Sequence, residues 1–164
     1  MAEMEEYYLG IDPSIWSTGW GLLNGNHEIV DYGRIKADKH LAIHEVVEVQ
    51  YRFLSELLAK YSVSSILCED QYQGCNVDTL KKLSQNRGAI MLLAAQKQIP
   101  FRTMAPSSWR KAFIGLQSGK ANKKDCVRAI NDMYGLKLKF VQNDIAEALA
   151  MAHVCVSKAK ENQA

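Results

Sequence analysis

Tyr7-Tyr8-Leu9-Gly10-Ile11-Asp12-Pro13-Ser14-Ile15-Trp16-Ser17-Thr18-Gly19-Trp20-Gly21-Leu22-Leu23 is the stretch whose reading decides the fold. An apolar run reaches a single Asp, a Pro-Ser turn follows, and a second apolar run returns through Gly19-Trp20-Gly21. Proline at 13 keeps Asp12 extended and supplies no amide donor beyond it. Asp12 is therefore a carboxylate on a strand expected to be buried, where an unpartnered charge is costly. A lone Asp-Pro also reads as a simple turn initiator. The positions of the other acidic residues decide between the two.

Working outward, Glu6–Asp12, Thr18–Asn24 and Glu28–Ile35 are predicted as strands, and Gly25-Asn26 is a hairpin signal that makes them an antiparallel meander. From His40 to Tyr61, apolar residues recur at Ile43, Val46, Val47, Phe53, Leu54, Leu57 and Leu58, the spacing of an amphipathic helix covering a sheet face. Ser64–Glu69 is a short buried strand ending in Glu-Asp, and a second long helix runs from after Gly74 to about Gln98. Ile99–Met104 is a fifth strand, Pro106-Ser107-Ser108-Trp109 opens a short helix, and Ser118–Asn122 is a loop. Lys123–Tyr134 is helical and stops at Gly135, and a final helix covers about Val141–Lys158. These elements predict an α/β fold with a mixed five-stranded sheet flanked by helices, organised as a single domain over residues 1–164. Ala89-Ile90-Met91-Leu92-Leu93-Ala94-Ala95 is apolar around the whole helix, so it needs cover on two sides. The sheet is one; the other is a helix of the same chain or, in the reading preferred here, a partner subunit.

Composition narrows the class. The chain has 164 residues, 48% hydrophobic and 23% charged, ordinary for a globular protein. No apolar run approaches the roughly 18 residues of a membrane span, and the acidic opening Met-Ala-Glu-Met-Glu-Glu is unlike a signal peptide. Cys68, Cys75, Cys126 and Cys155 contain no Cys-x-x-Cys, and the four histidines lack zinc spacing, so reduced thiols in a cytoplasmic protein are expected. The net charge of +2 hides an asymmetry: residues 1–78 carry 5 Lys/Arg against 13 Asp/Glu, whereas residues 79–139 carry 13 against 2. A basic block can be no more than a solvated face; at this density polyanion binding is the better reading, with nucleic acid the leading candidate.

The acidic residues then fall into a pattern. Glu69 ends the strand expected to lie parallel to the first, which brings it beside Asp12. Asp144 and Glu147 are spaced i,i+3 in the last helix and project from one face. Helix-terminal electrostatics and a capping-box arrangement account for either of the latter alone. Four converging carboxylates repel one another unless cations lie between them, and hard oxygen ligands favour Mg²⁺ or Mn²⁺. A pair of such ions about 4 Å apart, bridged by Asp12, is the arrangement for in-line attack of water on a phosphodiester. Strand alternation points Asp70 away from Glu69's face. His153 lies about half a turn round the helix from Glu147 and is left out of the site.

Four segments in register then resemble RuvC-type Holliday-junction resolvases, within the ribonuclease-H-like nucleases: Leu9-Gly10-Ile11-Asp12-Pro13 with Thr18-Gly19-Trp20-Gly21; Ile66-Leu67-Cys68-Glu69; Leu83-Ser84-Gln85-Asn86-Arg87-Gly88-Ala89; and Asp144-Ile145-Ala146-Glu147-Ala148-Leu149-Ala150-Met151-Ala152. Two residues depart from the family pattern. Ser14 stands where Gly is usual and Glu147 where Asp is frequent, which marks a divergent member of phage or mobile-element kind. The resemblance implies a homodimer that binds a four-way DNA junction and nicks two strands symmetrically, alongside branch-migration or recombination proteins. It implies Asp12, Glu69, Asp144 and Glu147 as catalytic metal ligands for two Mg²⁺, with Mn²⁺ as the substitute. Tyr72 aligns with an aromatic that stacks at the crossover, and Tyr in the polar stretch Gln71-Tyr72-Gln73-Gly74 also suits base stacking in its own right. Arg110 and Lys123 align with basic residues near the scissile phosphate. Lys81, Lys82, Arg87, Lys111, Lys120 and Lys124 fit a phosphate-tracking surface.

Two rivals bear on function. An ATP-binding module of the actin–sugar-kinase type shares the strand-Asp-hairpin opening, but needs a longer chain and leaves the basic block unexplained. A relative acting on other branched DNA or on RNA, or one that binds without cutting, shares the fold, and carboxylates alone do not choose among these substrates.

Overall fold

The computed structural model describes residues 3–70, 76–114 and 122–163. Tyr72, Lys120 and most of the Ser118–Asn122 stretch lie outside these described residues. The chain runs β1 (Tyr7–Asp12), β2 (Ser17–Asn24), β3 (Ile29–Lys36), α1 (Ile43–Lys60), β4 (Val63–Glu69), α2 (Val77–Gln96), β5 (Phe101–Met104), α3 (Pro106–Ile114), α4 (Lys123–Tyr134), a 3-10 turn (Phe140–Gln142) and α5 (Asn143–Gln163). The five strands form one mixed sheet in the order β3-β2-β1-β4-β5. β1, β2 and β3 pair antiparallel, and β4 lies parallel to both β1 and β5. This is the mixed α/β architecture that the apolar patterning predicts.

Element ends differ from the sequence expectation for local reasons. α1 begins at Ile43 rather than near His40: Ala42 is extended, and its amide donates to the Glu45 carboxylate (2.8 Å), which closes the first turn. α5 begins at Asn143 because Phe140–Gln142 form a tighter turn, fixed where the Lys139 amide donates to Gln142 Oε1 (2.8 Å). The β2–β3 hairpin turns through His27, which has φ of 61°. Asn24 Oδ1 there accepts from the amides of Asn26 and Glu28 (both 3.0 Å). The turn falls at Gly25-Asn26 as the hairpin signal predicts, and Asn24's side chain braces it.

The sheet divides the interior into two cores. On one face Leu9, Ile11, Leu22, Ile66 and Cys68 meet Leu54 and Leu57 of α1 and Ile90 and Leu93 of α2. On the other, Tyr8, Leu23 and Leu67 meet Trp109, Phe113, Ile130 and the buried length of α5. α5 lies close on this second face because β1 and β2 leave room for it. A Cβ at Gly10 would overlap the Ala148 carbonyl oxygen and stand 2.5 Å from the Ala152 amide nitrogen. At Gly19 it would stand 2.5 Å from the Asp144 carbonyl carbon. Only glycine tolerates that approach. The Ala-rich stripe of α5 completes the fit, with Ala146, Ala148, Ala150 and Ala152 fully buried.

α2 is not covered all round. Ile90, Leu93 and Ala94 pack inward, while Met91 and Leu92 are about half exposed, at 47% and 55%. No helix among the described residues is long and apolar enough to cross a membrane.

Candidate active site

Three elements bring carboxylates to one edge of the sheet. Asp12 ends β1, and Glu69 ends the adjacent parallel strand β4, whose register sets Ile11 against Cys68. Both side chains point to the α5 face, because the preceding Ile11 and Cys68 belong to the opposite core. Glu147 comes down from α5, next to Ala148, whose carbonyl rests on Gly10. Asp12, Glu69 and Glu147 are all buried, and each offers a carboxylate oxygen within 4.8 Å of the other two. The close-packed glycine surface therefore does more than fill space: it sets the height at which Glu147 meets the strands.

Nearby groups fix this set and offset only part of its charge. Trp109 of α3, fully buried, donates its indole N–H to Glu69 Oε2 (2.8 Å). Arg110, the next residue, donates to Glu147 Oε1 (2.6 Å), and its guanidinium lies 5.0 Å from the Trp109 ring centre. The Asp12 carboxyl is held well above the ordinary carboxylate range, first by burial and then by the charges of Glu69 and Glu147. Lys123 opposes that shift from the first turn of α4. The α4 start is itself secured by reciprocal bonds between Asn122 and Asp125 (3.0 and 3.1 Å). A buried anionic set made only of hard oxygen donors, with a carboxyl that resists ionising, fits a divalent cation.

Asp144 stands apart from that set. It lines the same cleft of about 550 Å³ as Asp12, Glu69 and Lys123. Its oxygens are taken up by Arg34 of β3, whose Nε lies 2.9 and 2.8 Å from Oδ1 and Oδ2 and whose terminal nitrogen lies 2.7 Å from Oδ1. Ser17 adds a hydroxyl at 3.3 Å and the Ile145 amide one bond at 3.0 Å. The capping-box reading of Asp144 and Glu147 is not what forms: Glu147 faces Arg110 instead.

Beneath the site, the Asp12-Pro13-Ser14 turn is held by a buried polar network. Thr18 Oγ1 accepts from the Ser14 amide (3.1 Å) and donates to Gln50 Oε1 (2.6 Å). Gln50 Nε2 donates to the carbonyls of Ser14 (3.0 Å) and Ile15 (3.3 Å), and Asn86 Nδ2 donates to Gln50 Oε1 (2.7 Å). Ser14 has no positive φ, so a side chain fits where the family pattern has Gly.

Of the other residues singled out from sequence, Arg87 is paired with Asp70 (2.5 Å), on the far side of the strand end from Glu69. Lys82 is paired with Asp78 (2.9 Å). Lys81, Lys111, Lys123 and Lys124 are exposed. His153 packs away from the cleft against His27 and Phe113. Arg34, Trp109 and Gln50 carry no motif and were not expected at the site. One signal for Arg34 does exist: the hairpin register aligns Asp12 with Gly19 and Gly19 with Arg34, which sets all three in one row across the sheet.

Sheet order, the acidic set at the end of two parallel strands, and a third carboxylate on a helix laid across them define a nuclease-type centre on a ribonuclease-H-like fold. The family model for crossover junction endodeoxyribonuclease RuvC matches residues 8–155, and the chain belongs to that family. Among curated relatives, the RuvC of Pseudothermotoga lettingae is 34% identical over 146 residues, covering 87% of this chain and 89% of that one. The RuvC of Protochlamydia amoebophila is 31% identical over 147 residues, covering 88% and 86%. Among solved structures, Thermus thermophilus RuvC in complex with a Holliday junction substrate superposes with a TM-score of 0.82 at 21% identity, over 98% of this chain and 97% of that one. The yeast mitochondrial Holliday junction resolvase Ydc2 gives 0.67 at 14% identity, over 94% and 79%, and supports the same fold.

Proposed function

We propose that this chain is a metal-dependent endodeoxyribonuclease that resolves four-way DNA junctions by paired, symmetric nicks. The observation that carries the reading is the buried Asp12–Glu69–Glu147 group, of which Asp12 and Glu69 line an open cleft, in a member of the RuvC family. These three side chains would hold divalent cations, Mg²⁺ or Mn²⁺, with Asp12 as the ligand common to two ions and Asp144 completing the set. When bound, the ions supply positive charge against the scissile phosphate and ease in-line attack by water. Trp109 and Arg110 keep Glu69 and Glu147 from swinging out of line, and the Gln50 network keeps Asp12's turn in place.

Lys123, at the cleft, and Arg110 lie nearest a phosphate bound there, and Lys81 and Arg87 extend the basic surface along the duplex arms. Tyr72 would stack on a base at the crossover. The exposed Val77, Met91 and Leu92 on α2 are the face by which two copies pair, giving the two nicks. The whole chain acts as one nuclease domain, in the cytoplasm where chromosomal or phage DNA is available, beside branch-migration or recombination proteins.

A panel of substrates tests the reading: a four-way junction, a flap, a plain duplex and an RNA–DNA hybrid, each with Mg²⁺, Mn²⁺ or chelator. Metal-dependent paired nicking of the junction is expected, with the other three cut far more slowly. Faster cutting of the flap or the hybrid would move the activity to other branched DNA or to RNA.

A further inference from the structure

Arg34 and Asp144 present a problem for a four-carboxylate site. Asp144's backbone rests over Gly19, and Gly19 lies in the sheet row between Asp12 and Arg34. From that position the Asp144 side chain can turn toward Asp12 on one side or toward Arg34 on the other. It is turned to Arg34, whose fork engages both of its oxygens at 2.7–2.9 Å and also donates to the Val141 carbonyl. The pair is only partly exposed, with side chains 23% and 16% accessible, so it is screened less than a surface ion pair. In this posture Asp144 is not among the carboxylates whose oxygens lie within 4.8 Å of one another, a set formed by Asp12, Glu69 and Glu147.

Arg34 lines the cleft itself. A planar guanidinium binds a phosphodiester with the same two-pronged geometry as a carboxylate. Resting on the nuclease reading above, we propose that Arg34 is a substrate-gated latch on Asp144. In the free protein it withholds the fourth carboxylate from the cation site. A phosphate of the nucleic acid entering the cleft competes for the guanidinium and frees Asp144 to turn toward Asp12. Arg34 is thus a positioning residue: it acts through Asp144, and it makes complete metal loading follow substrate binding.

Cation binding without DNA tests the latch apart from catalysis. Mn²⁺ titrations, followed by calorimetry and by electron paramagnetic resonance, compare wild type, Arg34→Gln, Arg34→Lys and the double variant Arg34→Gln/Asp144→Asn. Wild type is expected to bind a first Mn²⁺ well and a second weakly. Arg34→Gln should tighten the second by about ten- to hundredfold, the range for a charge-assisted pair of hydrogen bonds. Arg34→Lys, which loses the fork but keeps the charge, should fall between, and the double variant should lose the gain. An isotherm unchanged by Arg34→Gln, or weakened by it, overturns the latch; weakening would mean that Arg34 holds Asp144 in its working position. Thermal melts confirm that each variant folds, with Arg34→Lys carrying the test if Arg34→Gln does not. Wild type failing to cut any branched substrate would sink the nuclease reading, while the isotherms would still decide the latch.

Discussion

The two faces of the sheet are built on opposite principles. Against α1 and α2 the contact is made by branched side chains, Leu9, Ile11, Leu22 and Ile66 meeting Leu54, Leu57 and Leu93, with one polar cluster of Thr18, Gln50 and Asn86 buried among them. Against α5 the sheet offers glycine and the helix alanine, so backbone nearly meets backbone. The first face gains its stability from apolar area, about 25 cal/mol per Å². The second buries a large apolar cluster too, Trp109, Phe113 and Leu149 among it, but adds the close approach, and it is the one that carries three buried carboxylates. Closeness is what sets the α5 face apart, and apolar burial on both faces offsets the electrostatic cost of those carboxylates.

That contrast is sharpest at Asp12. Its folded carboxyl is raised by burial first, then by Glu69 and Glu147. A raised folded value favours the protonated form, so its stabilising contribution is present at low pH and is lost as pH climbs from the ordinary 3.8 through the raised value. Above that raised value, without a cation, the ionised group works against folding. Asp12→Asn should therefore do two opposite things: lower junction cutting by about a thousandfold or more, and raise the thermal midpoint of the metal-free protein. Added Mg²⁺ should stabilise wild type more than the variant. Near-wild-type cutting, or a lower midpoint for Asp12→Asn, would separate the α5 face from the role given to it.

Closeness itself is open to attack at Gly10. A methyl group there meets backbone atoms of Ala148 and Ala152, which cannot rotate aside. Gly10→Ala should cost about 3 kcal/mol, the upper part of the usual range for overpacking, read as a shift in the urea midpoint. Because α5 must lift away, metal affinity should fall along with stability. A variant of normal affinity would mean that the helix can slide without disturbing Glu147.

Most of this scaffold is legible in the sequence, since alternating and helical apolar spacing are driven by burial and burial dominates. Asp12, Glu69 and Glu147 are legible for the same reason: each is a charge placed where the surrounding pattern demands an apolar group. Arg34 is not, because β3 is half exposed and polar residues are ordinary there. Its partner also lies 110 residues away, beyond any local pattern. Gln50 escapes notice for the reverse reason: one polar residue in an amphipathic helix looks like solvent face, yet it is fully buried. Trp109 is visibly large and apolar, but nothing in the sequence says that its N–H meets Glu69.

Gln50 gives the other face its own test. Gln50→Leu keeps the bulk and removes the donors that hold the Ser14 and Ile15 carbonyls, and it strands the Asn86 amide. The expected loss is about 2 kcal/mol, within the range for leaving buried polar groups unpaired. The Asp12 turn would also loosen, so kcat should fall more than KM rises. A loss of stability with unchanged kcat would confine the network to the core and cut its link to the site.

The smallest effect is expected farthest from the cleft, at the outer end of the α5 face. His153 packs against His27 with ring centres 4.3 Å apart, and Tyr134 Oη lies 3.1 Å from its Nδ1. Ser157 already donates its hydroxyl hydrogen to the His153 carbonyl (3.1 Å), so His27 Nε2 must be the donor in its contact with Ser157 Oγ (3.1 Å). Tyr134 Oη and His153 Nδ1 share a bond whose donor follows the imidazole tautomer, so a proton gained there turns the bond round. Burial, then the charge of His27, push the His153 imidazole down to about 4. A lowered folded value means stability that is complete above the ordinary 6.5 and is lost as pH falls toward about 4. Over that interval wild type should lose on the order of 2 °C relative to His153→Gln, a modest shift because the pair is half exposed and screened. Asp12 drifts the opposite way over the same pH range, so the comparison is made in the Asp12→Asn background, which removes that opposing trend. Parallel pH curves for the two proteins would show that the imidazole gains its proton without disturbing the packing of α5.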